Sequence, residues 1–146
     1  MRLEVFEASD KEGLEICLDL RHKIFVIEKN VTQSIENDEF DVLGGACRHF
    51  YIECDKVPVG AARCNESIAG QIKLQRFCVL DSYRCKGLGR YLMEYIEDFY
   101  RRQGITKIQL DAKFHIHGFY EKCGYTKASE IFMEADMEHV KMVKEI

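Results

Sequence analysis

One stretch constrains the fold of this chain more than any other. Gln71 to Val79 reads as a strand, and a short loop ending in Arg84-Cys85-Lys86-Gly87 leads at once into a strongly amphipathic segment, Leu88 to Gln103. Leu92, Ile96, Phe99 and Tyr100 share one face of that segment at helical spacing, and Gly104 stands where a left-handed residue commonly stops a helix. Such a turn aims the helix N-terminus, with its unbonded N–H groups and partial positive charge, past the end of the strand. Gly87 and Gly89 remove side chains that would hold an anion away from the backbone, and Arg84, Lys86 and Arg90 add formal charge. The pattern suits a phosphate group; two glycines alone fit an ordinary turn equally well. The chain carries no G-x-x-x-x-G-K-[ST] and no complete G-x-G-x-x-G, so neither nucleotide-fold signature applies.

The other elements follow from periodicity. Arg2 to Ala8 alternates as a short strand; Ser9-Asp10-Lys11-Glu12 matches a capping box, and Leu14, Cys17, Leu18 and Arg21 to Phe25 continue at helical spacing. Val26 to Gly45 is acidic and irregular, with room for a short second helix. His49–Cys54 and Val57–Cys64 read as strands joined by a turn at Asp55-Lys56, with Pro58 where a missing ladder donor is tolerated. Ile105–Leu110 is a short apolar strand, Ile116–Lys122 a helix ended by Gly124, and Tyr125–Met133 with His139–Val143 an antiparallel pair. This order predicts an α+β fold: a mixed, mostly antiparallel twisted sheet of about six or seven strands, with helices on both faces. A chain of 146 residues is long enough to bury a core as one domain, residues 1–146.

Composition narrows the function classes. A net charge of -4 with both signs interspersed argues against a nucleic-acid partner. The seven cysteines are odd in number and form no C-x-x-C pair, so no metal site is expected and the thiols read as reduced. No apolar run reaches the ~20 residues of a membrane helix, and Met1-Arg2-Leu3-Glu4 does not open a signal peptide. The expectation is a cytoplasmic protein without a membrane partner; a homodimer is left open.

A second motif lies downstream, in Leu110-Asp111-Ala112-Lys113 followed by Phe119-Tyr120-Glu121-Lys122-Cys123-Gly124-Tyr125. Together with Arg84-x-x-Gly87-x-Gly89 it resembles the GNAT superfamily of acetyl-CoA-dependent N-acetyltransferases, which pairs a [QR]-x-x-G-x-[GA] loop with an F-Y-x-x-x-G-[FY] ending. The resemblance is strong over Gln71 to Tyr125. Leu20 to Val31, the acidic stretch after it, Ala112 with His115, and His139 extend it toward the ElaA-like subgroup. Leu110-Asp111 with the Phe-Tyr ending also looks like glucosamine-6-phosphate N-acetyltransferases. The resemblance implies that Arg84, Cys85, Lys86, Gly87, Leu88, Gly89 and Arg90 hold the CoA pyrophosphate. By the same likeness Phe77, Cys78 and Val79 serve the pantetheine arm, and Lys113, Phe119 and Tyr120 complete the cofactor site. Lys113 departs from the Asn or Gln of many relatives, which puts that contact in doubt.

Acyl transfer to an amine needs a neutral amine, a polarised thioester carbonyl and a protonated leaving thiol. The resemblance places the Tyr120 hydroxyl near the leaving sulfur, where a phenol is a reasonable acid; read from periodicity alone, Tyr120 is a core aromatic. Glu28 and Asp38, with Asp41 nearby, are candidate bases, against the alternative of a solvated acidic loop. His115 and His117 read as packing or capping residues. Cys85 and Cys123 lack a partner base, which disfavours an acyl-enzyme. The function implied is direct transfer of acetyl from acetyl-CoA to a primary amine of a small molecule, with glucosamine 6-phosphate as one form and Lys23, Arg76 and Lys113 as its phosphate contacts. The alternatives are acetylation of a protein or peptide amine, or a non-catalytic acyl-CoA-binding module.

Overall fold

The computed structural model describes the backbone of residues 1–146 and every side chain except those of Ser34 and Ile35. Strand β1 (Leu3–Glu7) leads to helix α1 (Lys11–Arg21), which passes without a break into a π-helical segment, His22–Glu28, and then to a short α2 (Gln33–Glu36). A three-stranded meander follows: β2 (Cys47–Cys54), β3 (Val57–Asn65) and β4 (Gln71–Val79). A single 3-10 turn, Asp81–Tyr83, precedes α3 (Leu88–Arg101), and β5 (Lys107–Lys113) comes next. The chain closes with α4 (His117–Lys122), β6 (Thr126–Lys127), β7 (Phe132–Glu134) and β8 (Met137–Glu145).

The strands form one eight-stranded sheet in the order β1-β2-β3-β4-β5-β8-β6, with β7 also on β8. Every pairing is antiparallel except β4 with β5. The mixed α+β sheet matches the expectation; the strand count exceeds it because the expected Tyr125–Met133 strand is broken into β6 and β7. Ala135 and Asp136 both take positive φ (49° and 60°), the two-residue loop that reverses a strand directly, as Asp55 and Lys56 do between β2 and β3. The start of α1 also differs from the capping-box reading. Asp10 caps the helix, its carboxylate accepting from the Gly13 N–H at 2.8 Å. An ionised acceptor beside that N–H outcompetes the Ser9 hydroxyl.

The core lies on both faces. Leu92, Met93 and Ile96 of α3, with Tyr120 of α4, pack on Ile52, Leu74, Ile108 and Leu110. On the opposite face Cys17 and Leu20 of α1 and Ile24 of the π segment cover Ala61 and Cys78. Each fully buried aliphatic chain contributes about 1.5–3 kcal/mol, so the apolar stripe of α3 fixes it against the sheet.

The central feature is where this sheet comes apart. The parallel pairing of β4 with β5 runs only from Gln71–Lys107 to Leu74–Leu110, and a Lys73–Asp111 ion pair (3.1 Å) clamps the fork. Beyond it β4 is bulged. Arg63 faces Gln75 and Ala61 faces Cys78, so Ala62 is opposed by both Arg76 and Phe77, and Arg76 adopts φ 51°. A bulge bends its strand, and the two strands diverge into a cleft walled by Phe77–Val79 and Asp111–Lys113.

Candidate active site

The cleft wall is built by strand alternation. Phe77 turns toward α4, its ring 6.0 Å from Phe119 and 6.2 Å from Tyr120. Cys78 turns toward α1 and is 4 % exposed. The Leu80 N–H bonds the Val59 carbonyl at 2.8 Å, and in the antiparallel pattern this directs the backbone of Val79 away from β3, toward the cleft. Val79 therefore offers its N–H to the cleft, while its carbonyl accepts from Arg84 Nε at 2.9 Å. Tyr120 is 7 % exposed, held edge-on by Phe77, Phe119 and Tyr125. Burial, with smaller contributions from the Cys123 and Cys78 thiols, pushes its phenol well above the ordinary tyrosine range.

The glycine loop sits at the end of β4. Cys85 and Gly87 both take left-handed backbone (φ 62° and 83°), and Gly87 is the N-cap of α3 without any side-chain cap. A Cβ on Gly87 would meet open space, whereas one on Gly89 would come within 3.2 Å of Phe119 Cζ. The two glycines thus have separate reasons: Gly87 allows the turn, and Gly89 lets Phe119 pack against α3 beside Phe77. Leu88 is buried under the loop. Lys86 lies over the Tyr83 ring at 5.8 Å, and the exposed Arg90 pairs with Glu94 at 3.1 Å. Arg84 is stitched inward, to Glu28 at 2.6 Å and Asp81 at 3.0 Å as well as to Val79. It organises the loop and ties it to the π segment.

The candidate bases are both held by guanidinium groups. Glu28 carries the Arg84 pair just described. Asp38 accepts from Arg63 through both oxygens (2.6 and 3.1 Å), with Arg76 at 3.5 Å. Burial raises the Asp38 pKa, but its hydrogen bond to Arg63 and the Phe40 N–H outweigh this and hold it below the ordinary value. Lys113 ends β5 over the Phe25 ring (5.8 Å), and burial, then the Lys29 and Arg84 charges, lowers its pKa. His117 turns its Nδ1 to the Phe114 carbonyl and stacks on that ring, a packing role; His115 is exposed.

Sequence reasoning missed the charged network behind this wall. Arg21, 1 % exposed, donates to Glu36 Oε1 at 2.6 Å, to the Glu36 carbonyl at 3.1 Å and to both Asp41 oxygens at 2.7 and 3.0 Å. Arg63, also 1 % exposed, joins Asp38 to Asp41, and Arg76 donates to the Glu36 carbonyl at 3.0 Å. One signal was available: Arg21 shares the face of Cys17, Leu20 and Ile24, and Arg63 interrupts the apolar run from Val59 to Cys64. A charge on a buried face requires partners.

The thiols give no sign of a nucleophile. Burial pushes the Cys78 thiol up to about 12 and raises that of Cys123, and Cys85 is the exposed one among the seven free cysteines. Two surface hollows, of about 170 and 200 Å³, share no residue with the cleft.

A mixed sheet with a splayed central pair and a glycine turn opening the next helix is the architecture of an acyl-CoA N-acyltransferase. The chain superposes on a Lactobacillus plantarum protein assigned as an N-acetyltransferase with a TM-score of 0.91, covering 99% of each chain at 22% identity. On Escherichia coli ElaA the TM-score is 0.81 at 26% identity, covering 99% of this chain and 100% of the other. A Bacillus subtilis (strain 168) protein assigned as an acetyltransferase is 39% identical over 144 residues, 98% of this chain and 97% of the relative. The family model described as an acetyltransferase (GNAT) domain matches residues 11–146. The chain belongs to the GNAT acetyltransferase family, and it is an acyltransferase.

Proposed function

We propose that the protein transfers acetyl from acetyl-CoA to the primary amine of a small molecule, with both substrates bound together. The observation that carries this reading is the cleft between β4 and β5, with the Val79 N–H facing it, Tyr120 beside it and the uncapped start of α3 at its mouth. The backbone amides of Gly87, Leu88 and Gly89 would hold the pyrophosphate of acetyl-CoA, with Lys86 and Arg90 adding charge from the surface. Arg84 and Cys85 shape that loop, and Phe77, Val79, Lys113 and Phe119 line the approach of the thioester. Acetyl-CoA supplies the activated acyl group. The Val79 N–H is the donor that polarises its carbonyl, and Tyr120 Oη holds the proton that the departing thiol needs.

No base is assigned to Glu28 or Asp38, since each is bound to arginine; the amine loses its proton to water and proximity does the rest. The acceptor is read as small because Glu36, Asp38 and Asp41, the acidic residues that a basic peptide would call on, are turned into arginine pairs. Arg76 is engaged by Glu36 and Asp38, which leaves a bare primary amine better supported than a sugar phosphate.

Thiol release from acetyl-CoA, screened over polyamines, amino sugars, amino acids and basic peptides, tests the reading. Turnover with a small amine and none with peptides is expected; no release with any amine would leave only a binding module. The loop assignment has its own test. Gly87→Asn should keep the fold, because asparagine tolerates left-handed backbone and meets open space there. It should weaken CoA binding by about tenfold or more, the effect of disturbing one charge-assisted hydrogen bond. Calorimetry showing wild-type affinity would remove the pyrophosphate from this loop.

A further inference from the structure

The β5 wall of the cleft ends in a cation without an anion. Pairing of β5 with β4 stops at Leu110, so Asp111 to Lys113 pair with β8 and border the cleft with their other edge. Leu110 and Ala112 face the core that contains Tyr120. Strand alternation turns Asp111 and Lys113 to the opposite face, where Phe25 of the π segment packs. There the half-buried Lys113 holds its Nζ 5.8 Å from the centre of the Phe25 ring, and no carboxylate pairs with it among the described residues.

The acids around it are already engaged. Asp111 is held by Lys73 at 3.1 Å and Glu28 by Arg84 at 2.6 Å. His139 stands directly across the ladder, with Glu134 3.6 Å from its Nε2. Further along the chain, His117 is turned to the Phe114 carbonyl and to Glu121. Burial, then the Lys29 and Arg84 charges, lowers the pKa of Lys113, while the face of the Phe25 ring favours its charged form. A partly desolvated ammonium is ordinarily paired; this one turns its field on whatever enters the cleft.

We propose that the Lys113 ammonium, set on the face opposite Tyr120, makes a bound acceptor ammonium shed its proton and so delivers the amine neutral. This rests on the acetyltransferase reading above and supplies what Glu28 and Asp38 do not. A like charge nearby favours the uncharged form of the incoming group. The amine proton goes to water, and the freed lone pair attacks the thioester carbon. The C–N bond forms as the C–S bond breaks, and Tyr120 protonates the sulfur. The surplus proton on nitrogen passes to water, which returns one to the phenol. The acceptors favoured are those whose amines give up a proton easily.

The test is kcat against pH with one aliphatic primary amine, whose low-pH limb reports amine deprotonation in the ternary complex. In wild type that limb should lie below the pKa of the free amine. Lys113→Met, similar in length but uncharged, should raise it by about one to two pH units. That is the size of the repulsion between unit charges several Å apart at an effective dielectric of ~20. Lys113→Arg, which cannot lose its proton, should keep the limb low. A second measurement, at neutral pH, uses the β,β,β-trifluoro analogue of the same amine, which is uncharged there. Lys113→Met should lower the amine-to-analogue ratio of kcat by about 10- to 100-fold, the equivalent of that shift. KM for the amine should fall with kcat, because the field that expels the proton also weakens binding of the ammonium. His139 is present in every variant, so a limb of its own is common to all. An unmoved limb in Lys113→Met, or an equal loss with both acceptors, would overturn the inference and make Lys113 a cofactor or packing contact. A Lys113→Arg profile matching that of Lys113→Met would overturn it in favour of proton transfer to a neutral lysine. No turnover by wild type with any amine would remove the acetyltransferase reading and this inference with it.

Discussion

Replacing Arg21 with methionine should cost the fold about 3–5 kcal/mol, the penalty for stranding buried charges after one partner is removed. Arg21 is the hub of four hydrogen bonds, and its loss leaves Glu36, among the described residues, with the more distant Arg76 as its ion-pair partner. Against a typical total of about 5–15 kcal/mol, that is a large fraction. Arg21→Lys should recover only part of it, because an ammonium cannot reproduce the fork that reaches Glu36 and Asp41 together. Urea unfolding measures both; a methionine variant within 1 kcal/mol of wild type, a threshold of roughly one ordinary hydrogen bond, would mean the network adds little to stability.

The same pairing fixes the acid response. Burial raises the Asp41 pKa, but the Arg21 hydrogen bonds, the Asp38 N–H and the Arg63 contact outweigh it and bring the carboxyl down to about 2. Its unfolded value is ~3.9. A depressed pKa stabilises the fold fully above the unfolded value and stops doing so as pH falls through the folded one. The stability gap between wild type and Arg21→Met should therefore be constant near neutrality and narrow between about pH 4 and pH 2. A gap that widened on acidification would contradict the assignment.

Tyr120→Phe should lower kcat by roughly 10²-fold while leaving Tm and CoA affinity nearly as they were. The ring that Phe77, Phe119 and Tyr125 enclose is kept, and the proton at Oη is lost. The upper end of general-acid effects is not expected, since a thiol with pKa ~8.5 leaves fairly well as its anion. Because burial drives the phenol pKa upward, it stays protonated throughout the working range. Wild type should therefore show no high-pH loss of kcat from Tyr120, and the two pH profiles should have the same shape at different heights. Equal kcat would make Tyr120 a core aromatic; a fall in kcat matched by weaker CoA binding would make its role one of packing.

What was legible in the sequence is what is local. The Gly87 turn, the stripe of α3, the meander and the Phe119–Tyr125 ending each depend on residues a few positions apart, and all stand where expected. Arg84 shows the limit: its place in the loop was readable, but its inward course depends on Glu28, brought there by a π-helical turn with no marker in the sequence. The bulge is similar, since an arginine at positive φ carries no local signature, yet Arg76 is where the cleft opens. Asp38 looked like part of a solvated loop because its partners, Arg63 and Arg76, lie on distant strands. Gly89 was read for the close approach of a phosphate; the Phe119 ring, 3.2 Å from where its Cβ would stand, is a second limit on its size that the sequence did not show.

The central claim is that acetyl passes directly from acetyl-CoA to a small amine. It is tested most directly by a mass balance on one reaction, with thiol release, acetylated acceptor and intact protein mass followed together. The account predicts one N-acetylated amine for each thiol released, with the protein mass unchanged at every time. Thiol release without acetylated amine, or an acetyl group found on the protein at Cys78, Cys85 or Cys123, would contradict it.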